Sequence, residues 1–243
     1  MKKMGKIIEQ TTVYFRKIKK CKFCGRNVKG YRKIKSDDGK ICFDIPVFNC
    51  DCQVKELEKK NEEKIKERIS YLFQISNIDA EFLTNDFKVY RNALIQYYES
   101  FEWIRNGKQL LIYGDPGNHK TGQVTAIMKK AIRKDQFKCV YYRASELPKL
   151  LLNDSSVWKT CRQCDVLVLD NFAKEESEKF GGIIFDILDK RIHSFKSNVL
   201  IINNDMAYIE RIYKKPMASR IQGFIQIPID GKDRREDMRY GKK

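Results

Sequence analysis

The sequence predicts an α/β domain built on a five-stranded parallel sheet, preceded by a small, basic, cysteine-rich lobe. Three observations carry this. The stretch from Leu110 to Thr121 passes from an apolar run through a glycine turn into a Lys-Thr pair. That is the outline of a buried strand, a loop whose backbone N–H groups curl around an anion, and a helix N-terminus facing it. About 50 residues on, Val166-Leu-Val-Leu runs into Asp170, and an unbroken apolar run is a strand buried on both faces. Ahead of both, Cys21 and Cys24 are followed by Cys50 and Cys52, two close thiol pairs joined by a loop.

The chain has 243 residues and is 42% hydrophobic, enough for one main domain with a real core and a small second one. No apolar run approaches the ~20 residues that span a bilayer. The basic stretch Met1–Gln10 has no apolar core of a secretory signal, so a cytoplasmic protein without membrane contact is expected. Net charge is +17, and residues 1–40 hold 14 Lys/Arg against 3 Asp/Glu. Such a lobe suits nucleic acid or another polyanion; a lysine-rich, merely solvated surface is the alternative.

Eight cysteines in a cytoplasmic chain argue for metal or plain burial rather than disulfides. Each short pair can supply two thiolates from one tight turn, as a tetrahedral Zn²⁺ requires. Cys21, Cys24, Cys50 and Cys52 are the expected ligands, with Cys42 able to replace one of them. Gly25 after Cys24 lets backbone amides approach the sulfur. A lobe this small cannot readily bury its own core, so a metal staple makes physical sense. Buried free thiols remain the other reading. Cys161 and Cys164, just before a buried strand, are expected to pack rather than to do redox chemistry.

The expected organisation is a zinc-binding domain over 1–58, a helical linker over 59–77 and the α/β domain over 78–243. Gln53–Arg68 is densely charged, and Ile65, Ile69 and Leu72 recur at helical spacing. This predicts a helix that starts solvated and ends packed. Leu94, Tyr97, Phe101 and Ile104 mark one helix ending at Asn106-Gly107. Val124, Ile127, Met128 and Ala131 form the buried face of the helix after the loop. A strand over Cys139–Tyr142 follows, then a helix capped by Ser145 with Pro148 harmless in its first turn. A long amphipathic helix (Phe180, Ile184, Ile187, Leu188, Ile192) leads to the strand Val199–Ile202. A short helix, the Pro216–Ile221 segment and the strand Phe224–Ile229 close the domain. Apolar strands alternating with helices predict a parallel sheet covered on both faces.

The chemistry concentrates at the strand tips. In the usual phosphate-loop spacing, G-x-x-x-x-G-K-[ST], Gly114, Lys120 and Thr121 fit, Gly117 is an additional glycine, and His119 stands where a glycine is expected. His tolerates positive φ better than most residues, so the loop is expected to survive with strain. Asp170 occupies the place of a Mg²⁺-organising carboxylate in a P-loop NTPase. The next residue, usually acidic in such enzymes, is Asn171, which cannot accept a proton. The loop residues Gly114, Asp115, Pro116, Gly117, Asn118, His119, Lys120, Thr121 and Gly122 are the expected nucleotide-binding set.

The order of parts resembles the DnaC/DnaI-type helicase loaders of the AAA+ ATPases. The matching pieces are Tyr-Gly-Asp-Pro-Gly-x-x-Lys-Thr, Tyr142-Arg-Ala-Ser-Glu-Leu147, Val-Leu-Val-Leu-Asp, the strand with Asn203-Asn204, Ala-Ser-Arg-Ile and Asp-Gly-Lys-Asp-Arg234. The cysteine lobe resembles the zinc-binding domain of DnaI-like and phage-encoded loaders. The resemblance implies an AAA+ P-loop NTPase domain that binds ATP or ADP, with Lys120 on the β/γ-phosphates and Thr121 and Asp170 at Mg²⁺. It implies Asn204 as sensor 1 and Arg220 as a finger reaching a neighbouring subunit's nucleotide in an ATP-dependent oligomer. The implied partners are a DnaB-type replicative helicase and single-stranded DNA. With His119 and Asn171 at these positions, binding is expected to be more secure than hydrolysis, with Glu175 or Glu176 as substitute bases. Two rivals stand: an IstB-like transposition ATPase acting with a transposase on duplex DNA, and a non-catalytic adaptor on a decayed ATPase scaffold.

Overall fold

The computed structural model describes residues 20–21, 23–26, 28–35, 41–48, 50–84, 89, 92–173, 177–204, 206–213 and 215–229. Glu175, Glu176 and the stretch from Asp230 to Arg234 lie outside these, as do the side chains of Cys42 and Phe180. The chain divides into two compact units, Met1–Lys66 and Glu67–Lys243.

The first unit is a β-hairpin between two cysteine turns. Strands β1 (Val28–Lys35) and β2 (Ile41–Phe48) pair antiparallel, with Val28 opposite Phe48 and Lys35 opposite Ile41. Pairing Val28 with Phe48 closes the long loop between Cys24 and Cys50, so the hairpin brings the two thiol pairs to one place. Helix α1 (Cys52–Ile75) starts at the last of those cysteines. Its first turns are exposed, and in the second unit Leu72 is buried with Ile69 packed against the same core, as the change in its periodicity predicts.

In the second unit α2 (Ala80–Thr84), α3 (Asn92–Glu99) and α4 (Glu102–Arg105) lead to strand β3 (Leu110–Tyr113) and helix α5 (Lys120–Asp135). Then come β4 (Cys139–Arg143), α6 (Leu147–Asn153), α7 (Ser155–Gln163), β5 (Val166–Asp170) and α8 (Ser177–His193). Strand β6 (Ser197–Ile201), α9 (Met206–Ile212), α10 (Lys215–Gln222) and β7 (Ile225–Pro228) complete it. The five strands form one parallel sheet in the order β4-β5-β6-β3-β7. Alternate strand residues feed two cores, as a period of two requires. Ile112, Tyr141, Val168 and Val199 pack with α3, α4 and α5, whereas Leu111, Tyr142, Leu167 and Leu200 pack with α6 to α10.

Two expectations are corrected. The face Leu94, Tyr97, Phe101 and Ile104 is buried, but it belongs to two helices broken at Ser100-Phe101. The break lets Trp103 turn edge-on to Tyr97 and donate its indole N–H to the Tyr97 carbonyl at 3.2 Å, so both rings are buried. Ser145 does not cap α6. It is exposed in a turn held by Ala144 N–H on the Asp170 carbonyl, and Glu146 precedes the helix without a side-chain cap bond. Pro148 does sit in the first turn, and Gly107 ends α4 at φ 60°.

The N-terminal ends of β5 and β6 are tied by Arg191, which is 1% exposed. Its guanidinium donates to the carbonyls of Cys161 (2.5 Å), Cys164 (2.9 Å) and Ser197 (2.6 Å) and to Asn198 Oδ1 (2.6 Å). One planar fork thus satisfies the end of α7 and the starts of two strands. Arg191→Met is expected to leave several buried acceptors unpaired and lower unfolding free energy by about 3 kcal/mol or more. Arg191→Lys should recover little of it, because an ammonium cannot reproduce the fork. Chemical denaturation of the two variants checks this; full recovery by lysine contradicts it.

Candidate functional site

The loop after β3 is shaped by the end of β7. Ile229 N–H donates to the Tyr113 carbonyl at 2.8 Å, and Asn118 Nδ2 donates to the Ile229 carbonyl at 2.9 Å. That carbonyl lies so close to Gly114 (φ 140°) that a Cβ there would collide with it. Gly117 has φ 87°, and His119, the N-cap of α5, takes the left-handed conformation (φ 55°, ψ 27°). The loop therefore turns at the position where a glycine is expected, with histidine carrying the strain. Asp115 and Pro116 are exposed on the loop, Asn118 and Gly122 are buried beneath it, and no acidic residue occupies the first turn of α5. A helix N-terminus without an acidic side chain in its own first turn suits an anion.

Lys120 reaches back across the loop, donating to the carbonyls of Gly114 and Asp115 at 2.7 Å each. Thr121 Oγ1 donates to Asp170 Oδ2 at 2.9 Å. The two motifs recognised from sequence thus meet. Asp170 is 6% exposed. Tyr141 Oη also donates to Oδ2, at 2.8 Å, and the Asn171 N–H to Oδ1, at 2.8 Å. A hydroxyl and a carboxylate side by side are hard oxygen donors that suit Mg²⁺, and the neighbouring ammonium and helix N-terminus suit the phosphates it accompanies. The site fits a magnesium nucleotide.

Asn171 sits at φ 51°, a conformation asparagine tolerates, and its Oδ1 accepts from Asn203 Nδ2 at 2.9 Å. Of the Asn203-Asn204 pair, Asn203 reaches Asn171 while Asn204 is exposed. Sequence reasoning did not single out Tyr141, and of the Asn203-Asn204 pair it gave the site role to Asn204 rather than Asn203. Tyr141 shares the Ile112–Val168 face, which the two-residue period implies once β4 is known to lie beside β5. Asn203 follows β6, the strand lodged between β3 and β5.

Arg220 is not brought to the loop. It forms an ion pair with Asp189 and lies 5.5 Å over the Phe185 ring. Helix α10 precedes β7, whose first residue pairs with Leu110, so Arg220 lies toward the N-terminal end of the sheet, opposite the phosphate loop.

In the first unit the sulfurs of Cys21, Cys24, Cys50 and Cys52 all lie within 4.8 Å of one another. Gly25, at φ 71°, donates to the Cys21 carbonyl at 2.8 Å and completes the turn. Backbone N–H groups of Cys24 and then Phe23 aimed at its sulfur lower the Cys21 thiol to about 7. The thiols of Cys24 and then Cys50 push Cys52 up to about 12. Four crowded sulfurs cannot all ionise without a cation among them, and Zn–S bonds of ≈ 2.3 Å need such a spacing. The donor set is one that can hold Zn²⁺. Cys161 and Cys164 are different: both are fully buried, burial raises both thiols, and Cys164 Sγ donates to the Cys161 carbonyl at 3.4 Å. They pack.

Among the described residues no helix is long and apolar enough to cross a membrane. Residues 56–218 match the family described as IstB-like ATP binding protein. Among solved structures, DnaI is similar at 20% identity with a TM-score of 0.54, over 65% of this chain and 95% of that one. The DnaC helicase loader is similar at 18% identity and TM-score 0.54, over 63% of this chain and 100% of that one. Domain III of the Thermotoga maritima replication initiation protein DnaA is similar at 16% identity and TM-score 0.53, over 68% and 72%. These likenesses show the AAA+ P-loop NTPase fold. No curated protein sequence matches. With more than half its length matched, the chain belongs to the IstB-like ATP binding protein family.

Proposed function

We propose that this member of the IstB-like ATP binding family is a helicase loader: it binds Mg-ATP and places a DnaB-type replicative helicase on single-stranded DNA. The observation that carries the reading is the Thr121–Asp170 hydrogen bond, which joins a phosphate loop to a metal-organising carboxylate in an AAA+ sheet. The fold likeness to DnaI and the DnaC helicase loader supports the choice of partner. The +17 net charge supports contact with DNA, with affinity that falls as salt rises. The expected division into a zinc-binding domain (1–58), linker (59–77) and ATPase domain (78–243) gives the cysteine lobe to the helicase.

In this reading the N-terminus of α5 and the Lys120 ammonium hold the β- and γ-phosphates, Lys120 leaving its loop carbonyls to do so. Thr121 and Asp170 hold Mg²⁺, which when bound supplies neutralising charge to the phosphates. Asn171 orients water without taking its proton, so turnover is slow. Asn203 fixes the Asn171 amide, and Asn204 stands beside it at the γ-phosphate side as sensor 1. Arg220 exchanges Asp189 for the nucleotide of the neighbouring subunit, which accounts for its position away from its own loop.

The IstB-like family match supports a second reading, a transposition ATPase acting with a transposase on duplex DNA. Affinity capture with the full chain and ATP tests the two: recovery of a replicative helicase and single-strand preference support the loader, whereas recovery of a transposase and duplex preference overturn it.

Purified protein should contain about one zinc per chain, lost in a Cys21→Ser/Cys24→Ser variant; full occupancy in that variant rejects the site. Loss on changing Cys42 with retention on changing Cys52 would move the fourth ligand.

Mg-ATP should bind but turn over slowly. Asn171→Glu should raise turnover while lowering stability by about 1 kcal/mol, since glutamate tolerates left-handed backbone poorly. Brisk hydrolysis by the natural chain refutes position 171 as limiting.

Arg220→Ala should bind ATP as well as the natural chain yet fail in ATP-dependent assembly on DNA. Mixing it with Lys120→Ala chains should partly restore assembly, because only mixed neighbours pair an intact loop with an intact arginine. Unchanged assembly by Arg220→Ala alone excludes the role in trans.

A further inference from the structure

We propose that Tyr141 is a positioning residue for the Mg²⁺-organising carboxylate, and that the segment Ser76–Asp79 holds Tyr141 in that role; this rests on the nucleotide reading of the site. Asp170 Oδ2 accepts two hydroxyls, Thr121 at 2.9 Å and Tyr141 at 2.8 Å, and Oδ1 accepts the Asn171 N–H at 2.8 Å. Thr121 belongs to the phosphate loop's helix, so its bond is tied to whatever that loop does. Tyr141 comes from the sheet. It is 2% exposed, and its ring is packed in the core beside α5. The carboxylate is therefore clamped from a rigid side that does not move with the ligand. A buried metal-binding carboxylate needs such a partner to keep one orientation.

The clamp has its own support. Strand β4 is an edge of the sheet, and the segment that follows α1 covers that edge at Tyr141. Tyr141 N–H donates to the Ser76 carbonyl at 2.8 Å, and Asn77 Nδ2 donates to the Tyr141 carbonyl at 2.9 Å. Asn77 adopts φ 54° to do this. Two residues along the strand, Arg143 pairs with Asp79 at 2.7 Å. Both backbone groups of Tyr141 on the open edge are thereby satisfied by two consecutive residues, Ser76 and Asn77. A shift of that segment would move the hydroxyl that holds Asp170, so the same contacts make it a means of adjusting the metal site.

Tyr141→Phe keeps the ring and its packing and removes only the hydroxyl. The test is a MgCl₂ titration of N-methylanthraniloyl-ATP binding to the full chain, read by fluorescence, beside binding with excess chelator. The Mg²⁺ concentration for half-maximal binding is expected to rise about tenfold in Tyr141→Phe, while metal-free binding changes less than about twofold. Asn77→Ala, which removes the bond to the Tyr141 carbonyl and keeps the hydroxyl, should shift the Mg²⁺ requirement in the same direction by a smaller factor, and it decides the matter if Tyr141→Phe does not fold. A purely packing role leaves the Mg²⁺ requirement of both variants at the natural value, and that result overturns the inference alone. Failure of the natural chain to bind the nucleotide at any Mg²⁺ concentration overturns the nucleotide reading and this inference together.

Discussion

The phosphate side of the molecule depends on how closely the end of β7 passes the end of β3. The Ile229 carbonyl occupies the space a side chain on Gly114 would need, and Asn118 then holds that carbonyl from inside the loop. Both ends of the loop's path are set by this contact, because the Ile229 N–H also binds the Tyr113 carbonyl. With the entry pinned, the remaining turn has to be made between Gly117 and Lys120. It is made by two left-handed residues, Gly117 and His119. A histidine there is tolerated because its neighbours over-determine the backbone, which is the condition under which strain persists.

Sheet order does the rest of the assembly. Strands β3 and β5 are not neighbours; β6 lies between them. Among the described strands, the tip of β6 stands between the phosphate loop and Asp170, and it delivers Asn203 to Asn171. Around Asp170 the protein places two hydroxyls and a backbone N–H. Together these donors fix the orientation of the buried carboxylate.

The two units solve stability differently. The α/β unit buries a double layer of aliphatic side chains and ties Arg191 into a dense network of buried acceptors. The first unit relies on a hairpin and four converging thiols. That difference follows from size: a lobe of a few dozen residues buries too little surface for a self-sufficient core, and metal ligation is an effective substitute.

What the sequence by itself determined is what depends on neighbours along the chain. The apolar runs of the five strands, the Lys120-Thr121 pair, Asp170 at a strand end, the cysteine pairs and the stop at Gly107 each follow from side-chain period, backbone freedom or ligand chemistry within a few residues. Tertiary structure decided everything that needed strand order or a distant partner. The break at Phe101 exists because Trp103 finds the Tyr97 carbonyl, and the turn at Ser145 because Ala144 finds the carbonyl of Asp170. Tyr141 acquired its role because β4 lies against β5, and Arg191 lost its solvent because α7, β5 and β6 converge on it. Arg220 went to Asp189 and Phe185 for the same kind of reason. A hydrogen bond between residues 29 apart, such as that from Tyr141 to Asp170, leaves no periodicity in the chain, because it exists only after the sheet has chosen its order.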